Sequence, residues 1–316
     1  MRRTIHSREF AALLADETRL DEALGYFEPV QTEAFTWKYR LRPDVEVVHE
    51  AGEAEVMGAG ILNLANALMR AFRRRTYRKL VARHPDRPRF VATGDSWFQH
   101  PLIRETIDHL MEAHGHPILS LDVAGDSLQQ VVDQDDYLDA IAEAQAKALL
   151  LSGGGNDLMG GRFGEFLNPY TPNGGHGAAR FLNSRFDAAL ATLFQQTRQI
   201  IGRVRGRFPT VKVLIHCYDY VVPRGRAAGG HWLGGPMEER GIALQPDKNA
   251  IVKLMIDRYA AGIAAVCKQF AGGASLVDTR GAIGAPQWRD EVHANDAGYA
   301  AVAARWQAAL QAAGLA

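Results

Sequence analysis

From residue 89 to the end of the chain, short apolar runs alternate with helix-patterned segments, and few architectures accommodate that alternation. "RFVATG" is followed by "HPLIRETIDHLMEAHG", in which Leu102, Ile103, Ile107, Leu110 and Met111 recur at helical spacing. "PILSLDVAG", "ALLLSGGG", "TVKVLIHCY" and the weaker "ASLVDT" read as further strands. Between and after them, "YLDAIAEAQAK", "AARFLNSRFDAALATLFQQTRQIIGRVRGRF", "DKNAIVKLMIDRYAAGIAAVCKQF" and "NDAGYAAVAARWQAALQAA" read as helices. Strands that are apolar along their whole length are covered on both faces, and strands separated by helices pair in parallel. With right-handed crossovers the pattern predicts an α/β domain over residues 89–316: a doubly wound, flavodoxin-like parallel sheet with helices on both faces. Such sheets place their sites outside the carboxyl ends of the strands. The segments of interest are therefore the loops 94–100, 124–130, 152–180, 217–246 and 278–295. The third and fourth are long and rich in Gly, Pro and aromatic residues, which marks them as functional or mobile loops expected to overhang one edge.

Residues 1–88 follow another pattern and read as a mainly helical N-terminal extension. "DVEVVHE" is a candidate strand, and "AEVMGAGILNLANALMRAFRRRTYRKLVARH" is a long amphipathic helix with Ile61, Leu64, Ala65, Leu68 and Phe72 on one side. Its cationic run of Arg70, Arg73, Arg74, Arg75, Arg78, Lys79 and Arg83 reads as a solvated face or as the partner of upstream acidic residues. Peripheral contact with an anionic membrane surface is the minor reading. Over the whole chain 36 Lys and Arg balance 36 Asp and Glu, so no global field favours nucleic acid. The two cysteines, Cys217 and Cys267, have neither disulfide-framework nor zinc-ligand spacing and read as buried free thiols. "FAALLA" is too short for the apolar core of a signal peptide, and no run approaches a membrane span, so the chain reads as soluble and cytoplasmic.

Gly-Asp-Ser occurs twice, in "VATGDSWFQH" and "DVAGDSLQQV", which offers Ser96 and Ser127 as nucleophiles. A serine needs a base to take its proton and donors for the oxyanion its attack creates. In "WRDEVHANDAGY", Asp290 precedes His293 by three positions, an offset that lets the carboxylate hold one ring nitrogen while the other faces a nucleophile. In "SGGGNDL", Asn156 supplies an amide donor at a strand end where three glycines allow close backbone approach.

The order of these blocks resembles the SGNH hydrolases, the GDSL esterase and lipase family. Members of that family carry a Gly-Asp-Ser block at the first strand, a glycine block, a Gly-x-Asn-Asp block and a C-terminal Asp-x-x-His. Here these fall at "GDSW" (Ser96), "AGDSL" (Gly125), "GGND" (Asn156) and "DEVH" (Asp290 and His293). With Ser127 as nucleophile no separate glycine block would fit before Asn156, so the resemblance makes Ser96 the nucleophile and the literal "GDSL" a decoy. It further implies His293 as general base, Asp290 as its orienting partner, and an oxyanion hole from the Ser96 and Gly125 N–H groups and the Asn156 amide. Trp97 stands where the family usually has leucine, and residues 1–88 precede a block that usually lies near the N-terminus. The "YDYVVPRGR" and "HWLGGP" strings resemble an accessory loop of a bacterial subgroup of the family.

The expected activity is hydrolysis of a small-molecule, lipid or glycan ester through an acyl-enzyme, without metal or cofactor. An acyltransferase using the same residues and a non-enzymatic binding module on the same fold are the alternatives. An α/β-hydrolase elbow would need Gly-x-Ser-x-Gly, and a phosphate loop would need Gly-Lys-Ser/Thr; neither is present. Trp97, Phe98, Tyr218, Tyr220 and Trp232 are the candidate substrate-binding residues, with Phe163, Phe166 and Tyr170 on the same loops. His100, His109, His114 and His116 lack a ligand set and read as surface or helix-end residues, while His176 and His231 sit on the long loops.

Overall fold

The computed structural model describes residues 3–6, 9–10, 12–13, 19, 22–23, 25–33, 36–48, 54–100, 103–159, 161–172 and 176–316; for 28–33, 36–41, 46–48 and 54–68 the backbone alone is described. The chain forms two compact units. One comprises residues 1–73 with 100–102, and the other 74–99 with 103–316.

The first unit is partly helical. Strand β1 (Arg3–His6) pairs in parallel with β4 (Val45–Val48), and β2 (Phe27–Glu33) pairs with β3 (Thr36–Leu41) as an antiparallel hairpin whose register shifts between Gln31 and Glu33. The "DVEVVHE" strand is β4; the other three strands are not predicted by the sequence pattern. Ile5, Phe10, Leu13 and Ala23 form a small buried cluster, in which the Phe10 ring stacks on Phe27 at 5.9 Å. The helix Ala54–Arg83 follows, 30 residues long, its residues to Arg73 counted in this unit and those from Arg74 in the second. Arg74, Arg75, Arg78, Lys79 and Arg83 on it are exposed, as a solvated face requires, but Arg73 is buried and Phe72 is exposed. The side chains of Ile61, Leu64, Ala65 and Leu68 lie outside the described set.

The second unit is the predicted α/β layer. Strands β5 (Phe90–Thr93), β6 (Ile118–Ser120), β7 (Ala148–Leu151), β8 (Lys212–His216) and β9 (Ala274–Val277) form one parallel sheet in the order β6-β5-β7-β8-β9. Counted within the sheet this is 2-1-3-4-5, the flavodoxin-like order, with its switch point between β5 and β7. "FVAT" and "ALLL" are buried at every position, which is why neither strand shows a polar alternation. Helices flank the sheet in two packed groups. Thr106–Glu112 packs on Asp296–Ala312, while Leu128–Gln134 and Tyr137–Ala144 pack on Ser184–Arg207, which also meets Gln245–Lys268.

Local chemistry sets the helix ends. The helix expected from 178 begins only at Ser184, because the Asn183 side chain accepts the Arg185 N–H at 2.9 Å and Ala178–Phe181 closes a separate 3-10 turn. Pro246 occupies the first turn of Gln245–Lys268, where its missing N–H costs nothing. Cys217 and Cys267 are buried and free. No helix among the described residues is long and apolar enough to cross a membrane.

Candidate active site

Because all five strands run parallel, every loop that follows a strand opens on the same edge. Ser96 follows β5, Gly125 follows β6, Asn156 follows β7 and the Asp290–His293 segment follows β9. At the switch point β5 and β7 approach so closely that a Cβ on Gly94 would run into the Ser152 carbonyl, so only glycine lets the chain turn out of β5 there.

The Ser96 hydroxyl oxygen lies 3.0 Å from Nε2 of His293. On the other side of the ring, Nδ1 is 3.0 Å and 3.2 Å from the two carboxylate oxygens of Asp290. A carboxylate facing Nδ1 keeps the proton on that nitrogen, so Nε2 presents its lone pair to the serine. Asp290 also accepts the backbone N–H groups of Val292 at 2.9 Å and His293 at 2.7 Å. Burial pushes the Asp290 carboxyl up, but the hydrogen bond and charge of His293 and these N–H groups outweigh it and hold the group down at about 2.

Ser127 is placed differently. It is the N-cap of Leu128–Gln134: its hydroxyl accepts the Gln130 N–H at 3.3 Å and its backbone N–H donates to the Gln130 side-chain oxygen at 2.8 Å, a reciprocal capping box, while the hydroxyl donates to the same oxygen at 2.9 Å. The glycine and asparagine blocks meet beside it. Asn156 donates one amide hydrogen to the Asp126 carbonyl at 2.8 Å, and Asp157 accepts the Leu128 N–H at 3.0 Å. Gly125 adopts φ 94°, a left-handed value that a side chain would strain. Among the described residues neither the Ser96 N–H nor the Gly125 N–H meets a protein acceptor. A groove of about 650 Å³ opens beside Asn156, lined by Ser127, Asp157, Phe166, Thr192 and Leu193 among others.

Behind Ser96 lies a buried polar chain that the sequence motifs do not reveal. Asp95 is 2 % exposed, and its carboxylate accepts from the Trp97 N–H at 3.1 Å, the Ser152 hydroxyl at 2.7 Å and the Tyr218 hydroxyl at 2.5 Å. The Tyr218 oxygen accepts the Gly155 N–H at 2.9 Å, next to Asn156, so the chain ties the serine loop to the asparagine loop. Tyr218 reaches this place with φ 64°, a conformation that costs a non-glycine residue about 1–2 kcal/mol. Burial and the neighbouring Asp95 charge push its phenol well above the ordinary value, so it stays a donor. His216, 2.8 Å from the Ser152 hydroxyl, is fully buried, which lowers it to about 3 and keeps it neutral.

Of the candidate substrate-binding residues, Trp97, Phe98 and Tyr218 are buried, which corrects the sequence-based placing of them at the site's edge. The Trp97 indole donates to the Val292 carbonyl at 3.1 Å and packs edge-on to Tyr218 and Tyr299. Phe98 is 0 % exposed and stacks on His216. They form the wall that supports the serine and histidine loops. Tyr220 turns to the helix Gln245–Lys268, its hydroxyl donating to Asp257 at 2.7 Å. Trp232 alone of the five stands exposed beside the histidine, its ring edge-to-face with His293 at 5.8 Å. Phe163 and Phe166 are core residues, Tyr170 is exposed, and His176 and His231 are exposed. His109 faces Asp296 at 3.4 Å and His116 faces Gln307 at 2.5 Å, and no metal-binding cluster occurs among the described residues.

The profile of the GDSL-like Lipase/Acylhydrolase family matches residues 88–301, and the chain belongs to this family. It is accordingly a hydrolase of ester bonds. No curated protein matches. Solved structures similar to it include phospholipase A1 from Streptomyces albidoflavus NA297, 14% identical, covering 70% of this chain and 99% of that chain with a TM-score of 0.48. A catalytic mutant of an acetylxylan esterase from Geobacillus stearothermophilus is 14% identical over 72% of this chain and 94% of that chain, TM-score 0.44. A Clostridium thermocellum family 3 carbohydrate esterase is 14% identical over 72% of this chain and 98% of that chain, TM-score 0.44.

Proposed function

We propose that the chain hydrolyses carboxylic esters through an acyl-enzyme on Ser96, with His293 as general base and Asp290 as the group that orients it. Residues 89–316 are the hydrolytic domain in this reading, and 1–88 an extension to it. The observation that carries the reading is the hydrogen-bonded series Ser96 Oγ, His293 Nε2, His293 Nδ1 and Asp290, with 3.0 Å at each link.

His293 takes the Ser96 proton as Oγ attacks the ester carbonyl. The resulting oxyanion is met by the Ser96 and Gly125 N–H groups, which have no protein acceptor among the described residues, and by the second amide hydrogen of Asn156. Collapse expels the alcohol with the proton from His293. A water molecule, deprotonated by the same nitrogen, then releases the acid. Asp290, held ionised, stabilises the imidazolium in both halves. The groove beside Asn156 gives one side of a small-molecule, lipid or glycan ester room to lie.

The test is hydrolysis of p-nitrophenyl butyrate. Wild type is expected to turn it over and Ser96→Ala to fall to background; full activity in Ser96→Ala would sink the mechanism.

A further inference from the structure

Glu291 lies between Asp290 and His293 and takes no part in the mechanism above. Its carboxylate is 1 % exposed and accepts backbone N–H groups from the loop that follows β8. Arg224 and Gly234 donate to Oε1, each at 2.8 Å; Trp232 at 2.8 Å and Leu233 at 3.2 Å donate to Oε2. Burying a carboxylate is costly unless its oxygens receive donors, and these four backbone N–H groups supply them. The loop is fastened elsewhere to the same segment. Val222 N–H donates to the Glu291 carbonyl at 3.0 Å, and the Arg224 guanidinium donates to the carbonyls of Arg289 and Trp288, each at 3.2 Å. A Cβ on Gly230 or Gly234 would run into the Arg224 carbonyl, so the two glycines let the loop close around Glu291.

What the fastened loop presents is Trp232. Its N–H is on Glu291, its ring is perpendicular to that of His293 at an interplanar angle of 88°, and it remains 40 % exposed. A large aromatic held edge-to-face against His293 offers an apolar surface beside the ring that faces Ser96. We infer that Glu291 is a positioning residue and that Trp232, fixed by it beside His293, is a specificity-determining group that packs against the apolar part of the bound ester. The inference rests on the proposed role of Ser96 and His293.

Glutamine cannot replace Glu291 in this role. Each carboxylate oxygen receives two N–H groups, so either amide orientation turns an NH2 group toward two donors. The experiment measures kcat and KM for p-nitrophenyl butyrate in wild type, Trp232→Ala, Trp232→Phe, Glu291→Gln and the Glu291→Gln, Trp232→Ala double variant. A fluorophosphonate label on Ser96 of wild type serves as control. We expect Trp232→Ala to raise KM about tenfold with kcat changed far less, Trp232→Phe to restore most of the loss, and Glu291→Gln to raise KM similarly. Because one residue acts through the other, the double variant is expected to be no worse than the worse single variant. Should Glu291→Gln fail to fold by circular dichroism, Gly230→Ala, whose Cβ presses on Arg224 and comes within 3.0 Å of Glu291 Oε1, disturbs the same fastening with the Glu291 side chain retained. An unchanged KM in Trp232→Ala, or KM factors that multiply in the double variant, overturns the inference while labelling of Ser96 leaves the mechanism standing. A wild type that does not label on Ser96 overturns the mechanism and the inference with it.

Discussion

The two Gly-Asp-Ser turns of this chain share three residues and almost nothing else. After β5 the tripeptide enters a crowded corner: Gly94 passes against the Ser152 carbonyl, Asp95 is consumed by the Trp97 N–H and two hydroxyls, and the Ser96 hydroxyl is left to meet His293. After β6 the same tripeptide opens a helix. A Cβ on Gly125 would meet nothing within 4 Å, and Ser127 spends its hydroxyl on Gln130. The residues that follow make the difference. Trp97 and Phe98 are core residues that pin the first turn to the sheet, whereas Leu128-Gln129-Gln130 begins a helix and recruits the serine as its cap. A motif of three residues therefore specifies a turn, and the packing around the turn determines whether its hydroxyl is available for chemistry.

The comparison can be broken most forcefully at the proposed triad. Ser96→Ala is expected to lower kcat for p-nitrophenyl esters by at least about ten-thousand-fold, measured against the uncatalysed rate. Asp290→Asn, which leaves the wrong ring nitrogen protonated, is expected to cost on the order of a thousand-fold to ten-thousand-fold in kcat with KM nearly unchanged. Asp290 also gives a pH signature. Its carboxyl is held at about 2 in the folded chain against about 3.9 for an unfolded aspartate, so its contribution to stability is present above about pH 3.9 and is lost as pH falls through 2. Urea denaturation of wild type and Asp290→Asn should accordingly differ at pH 7 and converge toward pH 2.

The proposed oxyanion side should give smaller effects. Asn156→Ala is expected to lower kcat by about 100-fold to 1,000-fold. Tyr218→Phe removes the donor to Asp95 and the acceptor of the Gly155 N–H, and should cost about 1–3 kcal/mol in urea denaturation, with activity falling as the two loops loosen. At the other turn, Ser127→Ala should leave kcat near the wild-type value, with any loss of the groove-lining hydroxyl falling on KM, while losing a helix cap, about 1 kcal/mol, read as a lowered Tm.

Much of the α/β layer was legible because its strands are unbroken apolar runs and its helices keep their period. The five strands at 90–93, 118–120, 148–151, 212–216 and 274–277 lie where those runs are. The hairpin β2–β3 was not legible, since "FEPVQTE" and "TWKYRL" carry charges and Pro29 in place of an apolar run. The helix Leu128–Gln134 was within reach: Ser127-x-x-Gln130 is a capping box in the sequence itself, and it separates the two serines without any family pattern. Glu291 and Asp95 were out of reach. The donors to Glu291 are backbone groups 57 to 67 positions away, and the Tyr218 hydroxyl on Asp95 comes from 123 positions away, distances across which side-chain type carries no signal. The aromatic residues misled for a related reason. Trp97 and Phe98 follow Ser96 in sequence, but the turn that presents the Ser96 hydroxyl drives both rings inward.

The most direct measurement is the site of covalent modification. Wild type treated with a fluorophosphonate, digested and sequenced by mass spectrometry should carry the adduct on Ser96 alone, with labelling abolished in His293→Ala and unaffected in Ser127→Ala. An adduct on Ser127, or labelling of Ser96 that survives His293→Ala at the wild-type rate, would contradict the assignment of nucleophile and base.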